Sequence, residues 1–183
     1  MTTSPPASQD HLDSANITTQ EHTSFQMFEV LPRLYISKFP TTIPPNITHI
    51  LNMCTHPHPK DTTRNYLHIA LDDIDNITPH IPSILSFIDT ALKDDGTVLV
   101  HCALGLNRSA AAVLAFLCHQ KEMTSLETLK YLKERKPNVR PSALFMQQIN
   151  QYFGRKEGED VEDPMARFHR RLQERKAGIV QSQ

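Results

Sequence analysis

The chain has 183 residues, of which 39% are hydrophobic and 21% are charged, a composition typical of a globular protein with one well-filled core. Its formal net charge of -1 leaves no broad basic field to attract nucleic acid or an anionic membrane, so any anion must be bound locally. No apolar run is long enough to span a bilayer, and the first residues lack a basic segment; this predicts no membrane contact and an intracellular location, cytoplasmic or nuclear.

The residue composition divides the chain into three parts. Residues 1–24 are rich in polar residues and proline and are predicted to form a flexible N-terminal lead. Residues 25–154 carry the apolar patterns of one folded domain, and residues 155–183 form a charged C-terminal tail in which residues 164–176 have the spacing of a short helix. The three cysteines are few and odd in number, which favours a reducing compartment over a disulfide framework.

Three β-prone segments open the folded part, and each predicts a strand. In chain order they read FEVLPRLYIS, NITHILNMC and NYLHIALDD. Thr78 and Pro79 then predict a helix start, because a hydroxyl can cap free amides and proline fits the first turn. The apolar positions that follow repeat at helical spacing until the segment KDDG ends the helix.

A second run of elements follows this helix. The segment TVLV predicts a buried strand, and residues 109–120 predict a largely apolar and therefore buried helix. Thr124 and Glu127 have the spacing of a capping box in front of another helix. Residues 142–153 predict the last helix of the domain. This order of strands and helices indicates an α/β protein in which most helices come after the TVLV strand.

Reactive residues are concentrated where the TVLV strand passes into the next helix. Cys102 ends the strand, Arg108 begins the helix, and five residues lie between them. A thiolate is a far better nucleophile than a thiol, and the free amides and positive dipole end of the helix favour an anion held in the loop. The guanidinium of Arg108 can bind two phosphate oxygens. The pattern predicts a site in which a cysteine attacks phosphorus.

The loop between the cysteine and the arginine suits a tetrahedral oxyanion because it has no acidic side chain. Gly105 permits an unusual backbone angle. His101 is predicted to hold the loop geometry by hydrogen bonding, and Ser109 to give a proton or hydrogen bond to the cysteine sulfur as it leaves. The predicted phosphate-binding residues are Ala103, Leu104, Gly105, Leu106, Asn107 and Arg108.

A structural interpretation competes with this catalytic one. Cys102 alone would suit a buried structural thiol, and Arg108 alone would suit an ordinary first residue of a helix. The complete pattern His-Cys-x5-Arg-Ser, placed between a buried strand and an apolar helix, is far more restrictive than either residue. The combination favours the catalytic interpretation.

The segment VHCALGLNRS resembles the signature of the cysteine-dependent protein tyrosine phosphatase superfamily. Four further segments of the chain recur in the same order in the small dual-specificity branch of this superfamily. These segments are FEVLPRLYIS, ITHILNMC, YLHIALDD and RPSALFMQQINQYF. The resemblance therefore covers about residues 27–153. The resemblance implies a protein tyrosine phosphatase-like fold, a single domain with a mixed central sheet flanked by helices. It also implies catalysis without a metal or another cofactor.

The chemistry needs a general acid as well, because an alkoxide or phenoxide leaving group must be protonated. The resemblance places this acid after the YLHIAL segment, where Asp72, Asp73 and Asp75 occur. The match to the family pattern indicates Asp73, with Asp72 as the second candidate. Aspartates in such a loop can instead satisfy free amides, and this is the preferred interpretation of Asp75.

The two other cysteines have separate interpretations. Cys54 ends the second predicted strand, and parallel strands would bring it towards the catalytic loop. In the tensin-homologue lipid phosphatase a cysteine in a similar context forms a reversible disulfide with the nucleophile, so the resemblance implies a redox role; an ordinary buried thiol is the alternative. Cys118 is predicted to lie in the core. The segment CTHPHP has two prolines and no fourth ligand nearby, so no metal site is assigned.

Three functions remain open. The resemblance implies a monomer that hydrolyses phosphotyrosine and phosphoserine or phosphothreonine in protein partners. A phosphoinositide or RNA 5′-triphosphate phosphatase is the alternative, because Leu104 and Asn107 replace the usual alanine and serine, and GLNR occurs in some RNA 5′-triphosphatases of the superfamily. The loop offers no lysine for additional phosphates, which favours a singly phosphorylated side chain over nucleic acid. The third possible function is that of a catalytically inactive module that binds phosphoproteins. The presence of Cys102, Arg108 and the aspartate is evidence against it.

Overall fold

Residues 25–57 and 63–155 are described by the computed structural model. The strands are β1 (Met27–Leu31), β2 (Leu34–Ser37), β3 (His49–Asn52), β4 (Asn65–His68) and β5 (Val98–His101). The helices are a 3-10 turn (Thr78–His80), α1 (Ile81–Lys93), α2 (Arg108–Lys121), α3 (Ser125–Arg135) and α4 (Ala143–Tyr152). The predicted lead at residues 1–24 and the predicted short helix at residues 164–176 lie outside the described residues.

The strands form one mixed sheet in the order β1-β2-β5-β3-β4. β1 is antiparallel to β2, and the other neighbouring pairs are parallel. This confirms the predicted fold class. β5 lies in the centre and is buried along its whole length. Its last residue, His101, is in register with Ser37 of β2 and Asn52 of β3, so three strands end at one edge of the sheet, where α/β proteins bind ligands.

The helices bury their apolar residues against one face of the sheet, with α2 at the centre. Residues 109–118 of α2 are all buried, and their small alanine side chains allow close packing against neighbouring elements. A smaller cluster of Ile47, Ile50 and Leu99 covers the other face. This packing places the first turn of α2 at the end of β5. No helix within the two described ranges is long and apolar enough to cross a membrane.

The segment FEVLPRLYIS was wrongly predicted as one strand, since it folds as a hairpin of β1 and β2. Leu31 pairs with Leu34, which leaves Pro32 and Arg33 as a two-residue loop. Arg33 has a φ of 66°, a left-handed conformation that glycine or asparagine usually supplies at the second central position of a turn. Its guanidinium donates a hydrogen bond to the carbonyl of Leu92 at 2.9 Å, which holds the arginine in place. The usual sequence signal of a tight hairpin, a glycine or an asparagine in the loop, is absent from this segment.

The helix starts are only partly those that the sequence predicts. Thr78 does not occupy the capping position, which belongs to Ile77, and the side chain of Asn76 accepts the Thr78 amide at 3.0 Å. The capping role given to Thr78 was therefore wrong. The capping box of Thr124 and Glu127 is confirmed at the start of α3. The starts of α2 and α4 each differ from their predictions by one residue.

Candidate active site

The β5–α2 loop, defined as residues 102–108 so that it includes Arg108, the first residue of α2, is fixed from two sides by main-chain hydrogen bonds. The amide of Phe39, just beyond β2, donates to the carbonyl of Ala103 at 3.2 Å. The amide of Arg140, before α4, donates to the carbonyl of Leu106 at 2.8 Å. The loop therefore has a shape that distant parts of the chain impose on it.

Gly105 is required by the close contact between this loop and the end of β2. Its φ is 69°, in the left-handed region. A Cβ atom at this position would lie 2.5 Å from backbone atoms of Ser37 and Lys38, far inside van der Waals contact. The glycine lets its own amide turn towards the sulfur of Cys102, to which it donates at 3.2 Å.

Cys102 is buried, yet its surroundings favour the thiolate. Burial raises the pKa of this thiol, but three hydrogen bonds and one cation outweigh burial and lower the pKa from its ordinary value of 9.0. The hydroxyl of Ser109 lies 3.2 Å from Sγ, and the amides of Ser109 and Gly105 donate to it. Arg108 supplies the positive charge. These contacts are what a sulfur nucleophile needs near neutral pH.

Arg108 is oriented by contacts with the loop that follows β4. Its Nη1 donates to the carbonyl of Leu71 at 3.1 Å. Its Nε lies 3.1 Å from Oδ1 of Asp73, an ion pair whose geometry is not that of a linear hydrogen bond. The guanidinium is therefore held against the loop that carries the aspartates, and its charge acts on Cys102.

The three candidate aspartates have different contacts. The carboxylate of Asp75 accepts the amide of Asp72 at 2.7 Å, and the carboxylate of Asp72 accepts the amide of Asp73 at 2.7 Å. Both therefore stabilise the loop in the way predicted for Asp75. Asp73 instead directs its carboxylate to Arg108. The geometry favours Asp73 over Asp72 as the predicted general acid.

The side chain of Asn107 makes contacts that the sequence interpretation did not include. Its Nδ2 donates to Oδ1 of Asp73 at 3.0 Å, and its Oδ1 accepts the amide of Ser142 at 2.8 Å. The only sequence feature that could have pointed to these contacts is the asparagine itself, which replaces the usual serine at this position. The carbonyl of Leu71, which binds Arg108, had no signal at all, because any residue provides it.

His101 is fully buried at the end of β5. Its ring packs edge-on against Phe39, with 5.5 Å between ring centroids. Its carbonyl accepts the amide of Met53 at 2.8 Å, which extends the pairing of β5 with β3. The predicted role of His101 in holding the loop stays a prediction.

The three thiols of the chain are buried and free. Cys54 lies two residues beyond β3 rather than within the strand. Burial raises its pKa, the charge of Cys102 raises the pKa further, and Arg108 opposes both, so Cys54 lies within electrostatic reach of the site. Cys118 is enclosed in α2, and burial raises its pKa to about 11, as suits the predicted core residue.

Two large apolar side chains near the site are exposed to solvent. Leu104 in the β5–α2 loop is 71% exposed, and Ile74, next to Asp73, is 84% exposed. Both side chains are accessible to a ligand that binds at this site. Across the described ranges, His, Cys, Asp and Glu side chains form no group of three or more that could hold a metal ion.

A family model described as "Dual specificity phosphatase, catalytic domain" matches residues 35–155, and the chain belongs to this family. Dual specificity protein phosphatase 19 of Mus musculus is 36% identical over 109 residues, which cover 58% of this chain and 50% of the relative. Dual specificity protein phosphatase 1 of Arabidopsis thaliana is 32% identical over 107 residues, covering 57% and 54%. The chain therefore spans about half the length of these curated relatives.

Solved structures agree with this assignment. Human tyrosine phosphatase-like serine/threonine/tyrosine-interacting protein superposes with a TM-score of 0.64 at 28% identity, covering 70% of this chain and 95% of that chain. The crystal structure of DUSP15 gives a TM-score of 0.65 at 27% identity, covering 69% and 86%. Both the resemblance and the fold that it implied are confirmed.

Proposed function

We propose that this chain hydrolyses phosphate monoesters on tyrosine, serine and threonine side chains of proteins through a cysteinyl-phosphate intermediate. The observation that carries the proposal is the arrangement around Cys102. A buried thiol with a lowered pKa adjoins the guanidinium of Arg108, and Asp73 contacts that guanidinium from the facing loop. The residues proposed as nucleophile, phosphate-binding cation and acid thus adjoin one another.

In the first step, the thiolate of Cys102 attacks phosphorus while the bond from phosphorus to the leaving oxygen breaks. Arg108 and the loop amides hold the non-bridging oxygens and stabilise the charge that develops on them. Asp73 gives its proton to the leaving oxygen, which departs as a neutral alcohol or phenol. The products of this step are phosphocysteine and the Asp73 carboxylate.

In the second step, the carboxylate of Asp73 takes a proton from water, whose oxygen attacks the phosphocysteine. The bond between sulfur and phosphorus breaks, and its electrons return to Cys102 as thiolate. The hydroxyl of Ser109, 3.2 Å from Sγ, donates a hydrogen bond to the departing sulfur. Inorganic phosphate leaves, and the balance requires only water.

The neutral character of the loop supports a singly phosphorylated protein side chain. Apart from Arg108, the loop provides no cation for further phosphates of a lipid headgroup or an RNA triphosphate. The exposed Leu104 and Ile74 suit apolar residues beside a phosphorylated side chain. A phosphoprotein-binding module is the second candidate, because one structural neighbour is named as a tyrosine phosphatase-like interacting protein. The contacts that favour the Cys102 thiolate support the enzyme.

A panel of substrates tests this function. We expect the full chain to hydrolyse 4-nitrophenyl phosphate, and kcat/KM for phosphotyrosine and phosphothreonine peptides to exceed that for a phosphoinositide or triphosphate RNA by at least about tenfold, since the loop has one phosphate cation. The highest kcat/KM with lipid or RNA would overturn the substrate class. Stoichiometric peptide binding with no hydrolysis of any substrate would establish the binding module instead.

We also propose that Cys54 protects the nucleophile from irreversible oxidation. Peroxide oxidises the Cys102 thiolate to a sulfenic acid, which removes its negative charge. The Cys54 pKa then loses the contribution that the charge of Cys102 made to raising it. The Cys54 thiolate attacks the sulfenic sulfur, hydroxide leaves as water after protonation, and a disulfide joins the two residues.

Peroxide treatment followed by mass spectrometry under non-reducing conditions tests this role. We expect a linkage between Cys54 and Cys102 in the wild-type chain, with activity restored by dithiothreitol. The Cys54→Ser variant is expected to progress to sulfinic acid at Cys102 and to regain no activity. Cys118→Ser serves as the matched control, because that thiol lies in the core. Absence of the linkage in the wild type, or equal recovery of both chains, would end the proposal.

A further inference from the structure

We infer that Asn107 is a positioning residue that keeps Asp73 at the reaction centre while a substrate phosphate occupies Arg108. The inference rests on the proposed phosphatase function and deepens it. It is carried by two hydrogen bonds of one side chain, from Asn107 Nδ2 to Oδ1 of Asp73 at 3.0 Å and from the Ser142 amide to Asn107 Oδ1 at 2.8 Å.

The two partners of Asn107 need one donor and one acceptor, and the two ends of its carboxamide group provide them. The amide of Ser142 can only donate, so it must face the Asn107 oxygen, and a carboxylate of Asp73 can only accept, so it must face the Asn107 nitrogen. The two contacts therefore fix the same orientation independently of each other. A serine at this position is too short and has one oxygen for both tasks, and a leucine has no polar atom.

The side chain of Asn107 does not make the helix-capping hydrogen bond that is usual for an asparagine at its position. It precedes Arg108 as the N-cap residue of α2, where an asparagine oxygen ordinarily accepts an amide of the first turn. Here the side chain makes no cap hydrogen bond, although the backbone carbonyl still accepts the amide of Ala111 at 2.8 Å. The side chain instead bridges two other loops.

The Nε atom of Arg108 cannot contact Asp73 and bind a phosphate oxygen at the same time. Its Nη1 is bound to the carbonyl of Leu71, whereas its Nε faces Asp73. A phosphate that is bound through two N–H groups of the guanidinium edge competes with Asp73 for Nε. The contact with Asn107 is then the one that retains the acid. Both contacts fall on Oδ1, so Oδ2 of Asp73 carries the proton for the leaving group.

The other end of this bridge is anchored to α4. The hydroxyl of Ser142 accepts the amide of Phe145 at 3.2 Å and caps that helix. Two residues earlier, the amide of Arg140 binds the carbonyl of Leu106. Asn107 therefore links Asp73, on an otherwise exposed loop, to the fixed start of a helix.

The dependence of kcat on the leaving group tests the inference. In Asn107→Ser and Asn107→Leu, we expect kcat for phenyl phosphate to fall about tenfold and kcat for 4-nitrophenyl phosphate to change less than about twofold, because nitrophenolate needs little protonation. In an Asp73→Ala background, Asn107→Leu is expected to change neither rate. Equal losses for both substrates, or a loss that persists without Asp73, would overturn the inference.

Hydrogen–deuterium exchange gives a second measurement that does not depend on turnover. With saturating inorganic phosphate, the amides of residues 71–76 are expected to exchange about tenfold faster in Asn107→Leu than in the wild type. Thr124→Ala removes a helix cap on α3 and serves as a control that should alter neither exchange here nor leaving-group dependence. Unchanged exchange in Asn107→Leu would overturn the positioning role. A wild type that binds phosphate without turning over any ester would refute the proposed function but leave this result intact.

Discussion

Replacing Cys102 with serine is expected to lower kcat by on the order of 10⁶-fold, the size of loss seen when an enzyme loses its nucleophile. The hydrogen bonds from Ser109 and Gly105 and the charge of Arg108 lower the pKa of a thiol from 9.0, but an alcohol starts from a far higher pKa and stays protonated. Turnover of 4-nitrophenyl phosphate measures the loss. Phosphopeptide binding, measured by calorimetry, should persist because Arg108 and the loop amides remain.

Cys118→Ala provides the matched control for this prediction. Its thiol is enclosed in α2 with a pKa raised to about 11, so its removal should leave turnover near that of the wild type. Iodoacetamide gives an independent check, since at pH 7 it should alkylate Cys102 well before Cys118. Substantial turnover in Cys102→Ser, or preferential alkylation of Cys118, would place the nucleophile elsewhere.

Replacing Asp73 with alanine is expected to lower kcat for a phosphoserine peptide by about 10²- to 10⁴-fold, the usual contribution of a general acid. The effect on 4-nitrophenyl phosphate should be much smaller, because its leaving group departs readily as an anion. Steady-state kinetics with both substrates measure these changes.

Asp72→Asn separates the two acid candidates. The asparagine keeps a carbonyl oxygen that can accept the Asp73 amide, so the loop retains its shape while the acidic group is removed. We expect this variant to keep most of its turnover of both substrates. If Asp72→Asn loses activity towards the phosphoserine peptide and Asp73→Ala does not, the acid is Asp72.

The sequence predicted those features that depend on neighbours along the chain. The passage from β5 through the loop to α2 was found because strand, glycine and helix start are contiguous, and the capping box of Thr124 because it is local. The hydrogen-bond partners of Asn107 were not predicted, because Asp73 and Ser142 lie 34 and 35 residues away along the chain. The β1–β2 hairpin was missed because Arg33 takes a conformation that its residue type rarely adopts.

The contact between Gly105 and the end of β2 makes the reactivity of the sulfur conditional on completed folding. The hairpin supplies the surface on which the loop rests, and it is the first part of the domain in sequence, separated from the loop by β3, β4, α1 and β5. A chain that has not brought these parts together lacks the hydrogen bonds of Ser109 and Gly105, so its Cys102 is an ordinary thiol with a pKa near 9.0. At neutral pH the thiolate fraction of Cys102 is therefore smaller in such chains than in the folded protein.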